Sequence, residues 1–146
     1  MEIREIVEKD VEQVYAIELE AFSSPWTRES ILMEVISPRS HYLVMENEGE
    51  IIGYAGLWKI FDEGHITNIA VKKGYRNRGL GLILMEKLMA HAQENQIKKL
   101  TLEVRCGNFQ ALKLYKKLGF VEAGRRKGFY DFPKEDAIIM WKEQLK

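Results

Sequence analysis

The chain of 146 residues has one cysteine, three prolines and no excess of charge of either sign. The single cysteine, Cys106, excludes an internal disulfide. Lysine plus arginine and aspartate plus glutamate number 22 each, so no net field steers the molecule toward nucleic acid or an anionic membrane. No apolar run approaches the roughly 18 residues that a transmembrane helix needs. We therefore expect neither direct nucleic-acid binding nor a membrane span.

The apolar residues make up 46% of the chain, which is enough to fill one core without disulfides or metals. The opening stretch "MEIREIVEKD" is charged where a signal peptide would be apolar. No repeat or low-complexity linker divides the sequence. These features predict a single domain over residues 1–146 in the cytoplasm.

The apolar spacing in the first half predicts two helices and then three strands. Asp10 and Gln13 resemble a capping box before the first helix, and Thr27 is the N-cap candidate of the second helix. A meander of antiparallel strands follows, with the sequences "HYLVME", "IIGYAGLWKIFD" and "HITNIAVKK".

The second half alternates between helix and strand. A helix begins near Leu80, the strand "KLTLEVR" follows, and Asn108 caps a helix that Gly119 ends. We expect a short strand near residues 120–122, a loop through "RRKGFYDFPKE" and a last strand, "DAIIMWKE". The fold class is therefore α/β, more closely α+β, with the order α-α-β-β-β-α-β-α-β-β.

The join between "HITNIAVKK" and the Leu80 helix contains two arginines and two glycines, Arg76, Arg78, Gly79 and Gly81. A helix N-terminus with unpaired N–H groups suits an anion, and glycines let a ligand approach the backbone. The same residues also fit a turn with solvated arginines, and both readings stay open. A P-loop is excluded because Leu82 follows Gly81 where lysine is required, and a dinucleotide fingerprint lacks its third glycine.

The segment from Arg76 to Gly81, "RNRGLG", resembles the Q/R-x-x-G-x-G/A signature of the GNAT superfamily of acetyl-CoA-dependent N-acetyltransferases. The later stretch "LTLEVRCGNFQALKLYKKLGF" resembles the second motif of that superfamily at the family's spacing. The resemblance implies the GNAT fold, a mixed and mostly antiparallel sheet that splays in the middle and is flanked by helices.

The resemblance also implies acetyl-CoA as co-substrate and no metal. In that family the loop amides wrap the pyrophosphate, the preceding strand offers backbone groups to the pantetheine arm, and an asparagine contacts the coenzyme. The matching residues here are Ile69, Ala70, Val71, Arg76, Asn77, Arg78, Gly79, Leu80, Gly81, Leu82 and Asn108. The histidines lack metal-ligand spacing, and we expect His65 and His91 to be surface or packing residues.

Two candidate catalytic residues follow from the resemblance. From the residues alone, Glu103 fits an outward-facing strand glutamate and Tyr115 a half-buried core aromatic. As family members, Glu103 would be the base and Tyr115 the proton donor to the leaving thiolate. A backbone N–H of residues 69–71 would face the developing oxyanion. Cys106 has no histidine near it in sequence, so we expect direct attack of the amine without an acyl-enzyme.

Within the superfamily the chain is similar to the RimI-type ribosomal-protein alanine N-acetyltransferases, through "FSSPWTRESI" and "GFYDFPKEDAIIMWKE". That family acetylates the N-terminal alanine of small-subunit ribosomal protein eighteen. The implied groove residues are Phe22, Pro25, Trp26, Tyr130 and Asp136.

Three questions stay open at this point. The acceptor could instead be a lysine side chain, a polyamine or another small amine, and a non-catalytic acyl-CoA-binding module is the alternative of another class. The cluster Arg125-Arg126-Lys127 fits a solvated face, a ribose phosphate contact or an acidic partner. No pattern indicates the oligomeric state.

Overall fold

The computed structural model describes residues 1–145, which form a seven-stranded sheet and four α-helices. The elements are β1 (Glu2–Glu5), a 3-10 turn (Glu8–Asp10), α1 (Val11–Ala21), α2 (Arg28–Ile36), β2 (Ser40–Asn47), β3 (Glu50–Ile60), β4 (Glu63–Val71), α3 (Leu80–Glu94), β5 (Lys99–Arg105), α4 (Phe109–Lys117), β6 (Val121–Asp131) and β7 (Lys134–Lys142). The strand order is β1-β2-β3-β4-β5-β7-β6, and only β4 and β5 run parallel. The expected mixed, mostly antiparallel sheet is confirmed.

Local capping signals were reliable for two helices. Thr27 Oγ1 accepts a hydrogen bond from the Ser30 N–H at 3.1 Å at the start of α2. Asn108 Oδ1 accepts one from the Ala111 N–H at 3.1 Å at the start of α4. Gly119 follows α4 with a φ of 97°, a left-handed conformation that ends a helix at little cost for glycine.

The predicted capping box at α1 is wrong. The Asp10 carboxylate instead accepts hydrogen bonds from the Val7 N–H and from both terminal nitrogens of Arg4. Gln13 accepts from the Ile51 N–H at 2.9 Å, on a neighbouring strand. The long-range partner Arg4 competes successfully for the acid that a local pattern assigns to the helix.

Two edge strands were missed or underestimated. β1 is a short charged strand that pairs with β2, and the sequence pattern gave no helix or strand there. The stretch expected as a loop is largely β6, whose ladder with β7 is interrupted by two register shifts. An edge strand with an exposed face needs no apolar alternation, so periodicity does not reveal it.

The sheet has a separate core on each face. The α3/α4 face buries Ile66, Leu102 and Val104 under α3 and α4. The α1/α2 face buries Tyr54 and Ala70 under α1 and α2. None of the helices in the described residues 1–145 combines the length and apolarity needed to cross a membrane.

A bulge in β4 exchanges the faces. Leu57 of β3 pairs with Ile66, but Gly56 pairs with Asn68, so Thr67 is an extra residue. Because of this extra residue, Ile66 points to the α3/α4 core while Ala70 points to the α1/α2 core. The bulge therefore re-aims the side chains of the second half of β4.

The sheet splits in the middle. β4 and β5 are paired only over Glu63–His65 and Lys99–Thr101. Beyond those residues β4 continues along β3, and β5 continues along β7. We call the opening between the unpaired parts of β4 and β5 the wedge. The expected splay is therefore present, and it lies beside the candidate site residues.

Candidate active site

The two candidate catalytic residues lie on opposite faces of the sheet. The β5 neighbours Leu102 and Val104 are buried on the α3/α4 face, so Glu103 between them points to the α1/α2 face. Tyr115 belongs to the α3/α4 core. A substrate that passed through the wedge would meet a carboxylate on one side and a phenol on the other.

Glu103 is partly buried and ionised at neutral pH. Its side chain is 17% exposed, and its Oε1 lies 2.8 Å from His65 Nε2. The hydrogen bond with His65 lowers the pKa of Glu103, against the opposing effect of burial, and Arg126 adds to the lowering. The Arg126 Nε is 4.0 Å from the other carboxylate oxygen.

The contact of His65 with Glu103 was not predicted from the sequence, which indicated only a surface or packing residue at this position. In β4 His65 pairs with Thr101 of β5, so Glu103 is its diagonal neighbour on the same face. The contact joins residues 38 positions apart and depends on the register of a parallel pair. Only that register, and no local pattern, would have revealed it.

Tyr115 is a buried donor. Its side chain is 6% exposed, and its ring packs against Phe120 with the centroids 5.8 Å apart. Burial raises the pKa of the phenol well above its ordinary value, and the nearby Tyr130 raises it further. Tyr115 therefore stays protonated at neutral pH and has a proton to give.

The N-terminus of α3 is open. The N-cap residue Gly79 has a φ of 76°, and no side chain of residues 1–145 accepts a hydrogen bond from the first N–H groups of the helix. Asn77, just before it, also has a positive φ of 63°. Backbone N–H groups and the positive end of the helix dipole are thus available to an anion.

The arginines of this loop are free of carboxylates. Arg76 Nε donates to the Val71 carbonyl oxygen at 2.8 Å, and the Arg78 guanidinium lies 5.3 Å from the centroid of the Tyr75 ring. Neither arginine forms an ion pair with any residue in the described part of the chain, 1–145. Gln110 donates to Asn77 Oδ1 at 3.1 Å and tethers the loop to α4.

Several predicted coenzyme residues have side chains that are buried or engaged within the protein. Leu80 is buried in the α3/α4 core, while Ile69 and Val71 are partly buried against it. Asn108 uses its side-chain oxygen to cap α4. Gly81 faces α4, since a Cβ there would lie 3.8 Å from Leu114 Cδ2.

Aromatic rings line the α1/α2 face beside Glu103. Trp26 stacks on Trp58 with centroids 6.3 Å apart, and it also packs against Tyr42. Tyr130 lies under the Arg105 guanidinium at 4.3 Å. Burial, together with the charge of Glu103, raises the pKa of Tyr130 to about 12. The predicted groove residues Trp26 and Tyr130 thus lie on the face to which Glu103 points.

The two predicted walls of the groove touch each other. Arg105 donates to the carbonyl oxygens of Phe132 and Pro133 at 3.1 and 2.8 Å. Its other donor reaches Ser23 Oγ at 3.4 Å, and Ser23 in turn donates to the Phe132 carbonyl. The loop that contains Phe22 and Pro25 is therefore held against the tip of the β6–β7 hairpin.

Asp136, another predicted groove residue, has both carboxylate oxygens engaged inside the hairpin. They accept from the Gly128 N–H at 2.8 Å and from Arg125 at 2.9 Å. Two arginines of the basic cluster are thus occupied within the chain, Arg125 with Asp136 and Arg126 near Glu103.

A buried glutamate connects the groove loop to the bulge. Glu18 of α1 is 2% exposed. It accepts hydrogen bonds from the Trp26 N–H at 2.9 Å, from Asn68 Nδ2 at 3.2 Å and from the Tyr54 hydroxyl. One carboxylate therefore fixes Trp26 and the re-aimed part of β4 at the same time, and no sequence pattern pointed to it.

The match with known proteins agrees with this geometry. Residues 11–120 match the sequence model of a family described as "Acetyltransferase (GNAT) family". The chain belongs to the GNAT family of acetyltransferases.

Individual GNAT relatives are similar over nearly the whole chain. A Bacillus subtilis (strain 168) protein named "Putative ribosomal protein bS18-alanine N-acetyltransferase" is 42% identical over 95% of this chain and 93% of its own length. The Escherichia coli (strain K12) "Ribosomal protein bS18-alanine N-acetyltransferase" is 34% identical over 90% of this chain and 89% of its own. The crystal structure of the ribosomal-protein-S18-alanine N-acetyltransferase from Escherichia coli superposes with a TM-score of 0.92 at 31% identity, covering 99% of this chain and 94% of that one.

Replacing Glu18 with glutamine tests the link between loop and bulge in this GNAT protein. Glutamine replaces one of the two accepting oxygens with an NH2 group, which cannot accept from the three groups that donate to Glu18. We therefore expect Glu18→Gln to lower the free energy of unfolding by about 1–3 kcal/mol. Urea denaturation measures the effect. The matched control is Glu12→Gln on the same helix, whose exposed side chain pairs with Arg28 and should change stability little. Equal effects of the two variants would contradict the role given to Glu18.

Proposed function

We propose that this GNAT protein transfers the acetyl group of acetyl-CoA to the α-amine of a protein N-terminus that begins with alanine, with ribosomal protein bS18 as the substrate. The observation that carries the proposal is the wedge, which has ionised Glu103 on one face and protonated Tyr115 on the other. The names of the similar proteins from Bacillus subtilis and Escherichia coli support the choice of acceptor.

The chain's residues fit the coenzyme. The open N-terminus of α3 and the arginines Arg76 and Arg78, which have no carboxylate partner among residues 1–145, match a pyrophosphate in charge and in hydrogen bonding. The edge of Ile69, Ala70 and Val71 that faces the wedge has no strand partner among residues 1–145, so backbone groups there other than the Val71 carbonyl, which accepts from Arg76, can bind an amide-containing arm. Acetyl-CoA, when bound, supplies the acetyl group as a thioester.

Glu103 gives the site its base. It lies on the face lined by the aromatic groove, and it can act on the amine directly or through an intervening group. An α-amine with a pKa of about 7.7–8.0 is partly neutral at pH 7, whereas a lysine amine costs about 3.5 kcal/mol more to deprotonate. An α-amine therefore needs less help from a base than a lysine amine does.

Tyr115 supplies the second proton. The raised pKa of its phenol keeps it protonated, so it can donate to the departing thiolate. A backbone N–H of residues 69–71 faces the charge that develops on the carbonyl oxygen. Cys106 Sγ lies 3.7 Å from the Glu135 carboxylate, and no histidine among residues 1–145 forms a hydrogen bond with it that could activate it as a nucleophile. The amine therefore attacks directly, and we place the reaction in the cytoplasm.

A panel of matched peptides tests the acceptor. We expect acetyl transfer to a peptide with a free N-terminal alanine, and much less to the same peptide with serine or methionine first. Thiol release and mass spectrometry of the product measure it. Transfer to an N-terminally blocked peptide with one lysine would contradict the α-amine assignment. Acetyl-CoA binding without transfer to any amine would favour a non-catalytic binding module.

Single substitutions test the two proton-transfer roles. Glu103→Gln and Tyr115→Phe should each lower kcat by about a hundredfold or more, because each removes a proton-transfer group. Acetyl-CoA affinity by calorimetry should stay unchanged in both. Tyr15→Phe on α1, whose ring lies under Arg28, is the control for the loss of a phenol. Unchanged turnover in either variant would remove that residue from the mechanism.

A further inference from the structure

The contact between His65 and Glu103 joins two chemically different groups. It uses the Nε2 atom of His65 and one oxygen of an ionised carboxylate at 2.8 Å. A carboxylate oxygen only accepts, so the imidazole must present a proton on Nε2. In the neutral ring the lone pair then lies on Nδ1. This arrangement is the carboxylate–imidazole pair that makes a histidine an oriented base.

The surroundings of His65 hold its ring in place while leaving part of it accessible. Its side chain is 31% exposed. On β3 the directly opposite residue is Trp58, whose ring meets the imidazole edge-on with centroids 6.0 Å apart. Trp58 in turn stacks on Trp26 of the groove loop. The imidazole therefore belongs to the same aromatic surface that lines the proposed acceptor groove.

The charged and titratable groups near this pair come from three sides. On β5 and β6 they are Glu103, Arg126, which lies 4.0 Å from the free oxygen of Glu103, and Tyr130, which is close enough to sense the Glu103 charge. Behind Trp58 are Glu34, which accepts from the indole N–H, and Arg39, whose guanidinium lies 4.2 Å over the ring. Of these groups, Glu103 is the one that contacts the imidazole with a hydrogen bond.

We propose that Glu103 acts through His65, so that Nδ1 of the imidazole takes the proton from the acceptor amine and Glu103 stabilises the imidazolium that forms. The proposal rests on the proposed N-acetyltransferase function. The N–H bond of the ammonium group breaks, an Nδ1–H bond forms, and the freed lone pair of the amine attacks the acetyl carbonyl. As the C–S bond breaks, Tyr115 gives its proton to the departing thiolate, and the second proton that leaves the nitrogen replaces the one on Tyr115 through solvent. The proton on the imidazole passes to water after transfer.

Base strength favours this division of roles. A carboxylate whose pKa is lowered by its histidine partner is a weak acceptor for the proton of an ammonium group. The lone pair on Nδ1 of His65 can instead take the proton, and the carboxylate of Glu103 then balances the charge of the imidazolium.

The pH dependence of kcat at saturating alanine peptide tests the proposal in the full-length chain. In the unaltered protein we expect kcat to fall on the acid side of the profile, because the imidazole must be neutral to accept the proton. His65→Gln should lower kcat at neutral pH by about a hundredfold and remove that fall, while acetyl-CoA affinity stays unchanged. The control is His91→Gln, which alters a histidine paired with His41 rather than with Glu103.

Two results with His65→Gln would overturn the proposal. One is an unchanged kcat, and the other is a lower kcat that keeps the original acid limb, because the imidazole would then only position Glu103. Failure of the proposed function is distinguishable, since the unaltered protein would then not acetylate the alanine peptide at all.

A second measurement needs no variant. Nitrogen-15 NMR of the unaltered protein with a neutral His65 ring should show its proton on Nε2 and none on Nδ1. A proton on Nδ1 would overturn the proposal even if the His65→Gln protein fails to fold.

Discussion

The parallel pairing of β4 with β5 ends after His65 and Thr101, and the rest of the site depends on that ending. Each strand keeps one partner, β3 or β7, so the sheet remains continuous while its middle opens. Backbone groups that would otherwise satisfy each other are left facing the wedge. Because such groups need hydrogen-bond partners, the wedge favours an occupant with an amide-rich chain.

The surrounding structure holds the wedge in this form. The extra residue Thr67 turns the second half of β4 over, and the buried carboxylate of Glu18 binds Asn68 just beyond it. The same carboxylate accepts a hydrogen bond from the Trp26 N–H, so one side chain holds both the loop of Trp26 and the second half of β4. A displacement of either segment would therefore change the hydrogen bonding of the other.

The opening also separates the two proton transfers. Glu103 and His65 lie on the α1/α2 face, and Tyr115 lies in the core of the α3/α4 face. In the proposed reaction the amine loses its proton on one side of the sheet, and the leaving group gains one on the other side.

Features that depend on near neighbours were predictable from the sequence. Thr27 and Asn108 cap their helices as expected, because the groups they bind are only three residues away. Asp10 was mistaken for a cap because its true partner, Arg4, approaches from an edge strand that the pattern did not reveal.

The family resemblance supplied Glu103 and Tyr115, but not the environment that sets their chemistry. The contact between His65 and Glu103 joins residues 38 positions apart, and the contact between Glu18 and Asn68 joins residues 50 positions apart. The first depends on strand register, and the second lies beside a bulge. Composition and periodicity contain neither quantity. Asp136 was predicted as a groove residue from the resemblance, but the sequence did not reveal that both of its carboxylate oxygens accept hydrogen bonds within the β6–β7 hairpin.

We infer that the wedge and the α3 terminus together bind acetyl-CoA. Amide hydrogen exchange with and without acetyl-CoA can follow this binding at each residue. We expect slower exchange at residues 69–71 and 79–82 when acetyl-CoA is present, with little change on the outer strands β1 and β6. Unchanged exchange at both segments, in a protein that calorimetry shows to have bound acetyl-CoA, would mean that the coenzyme binds elsewhere.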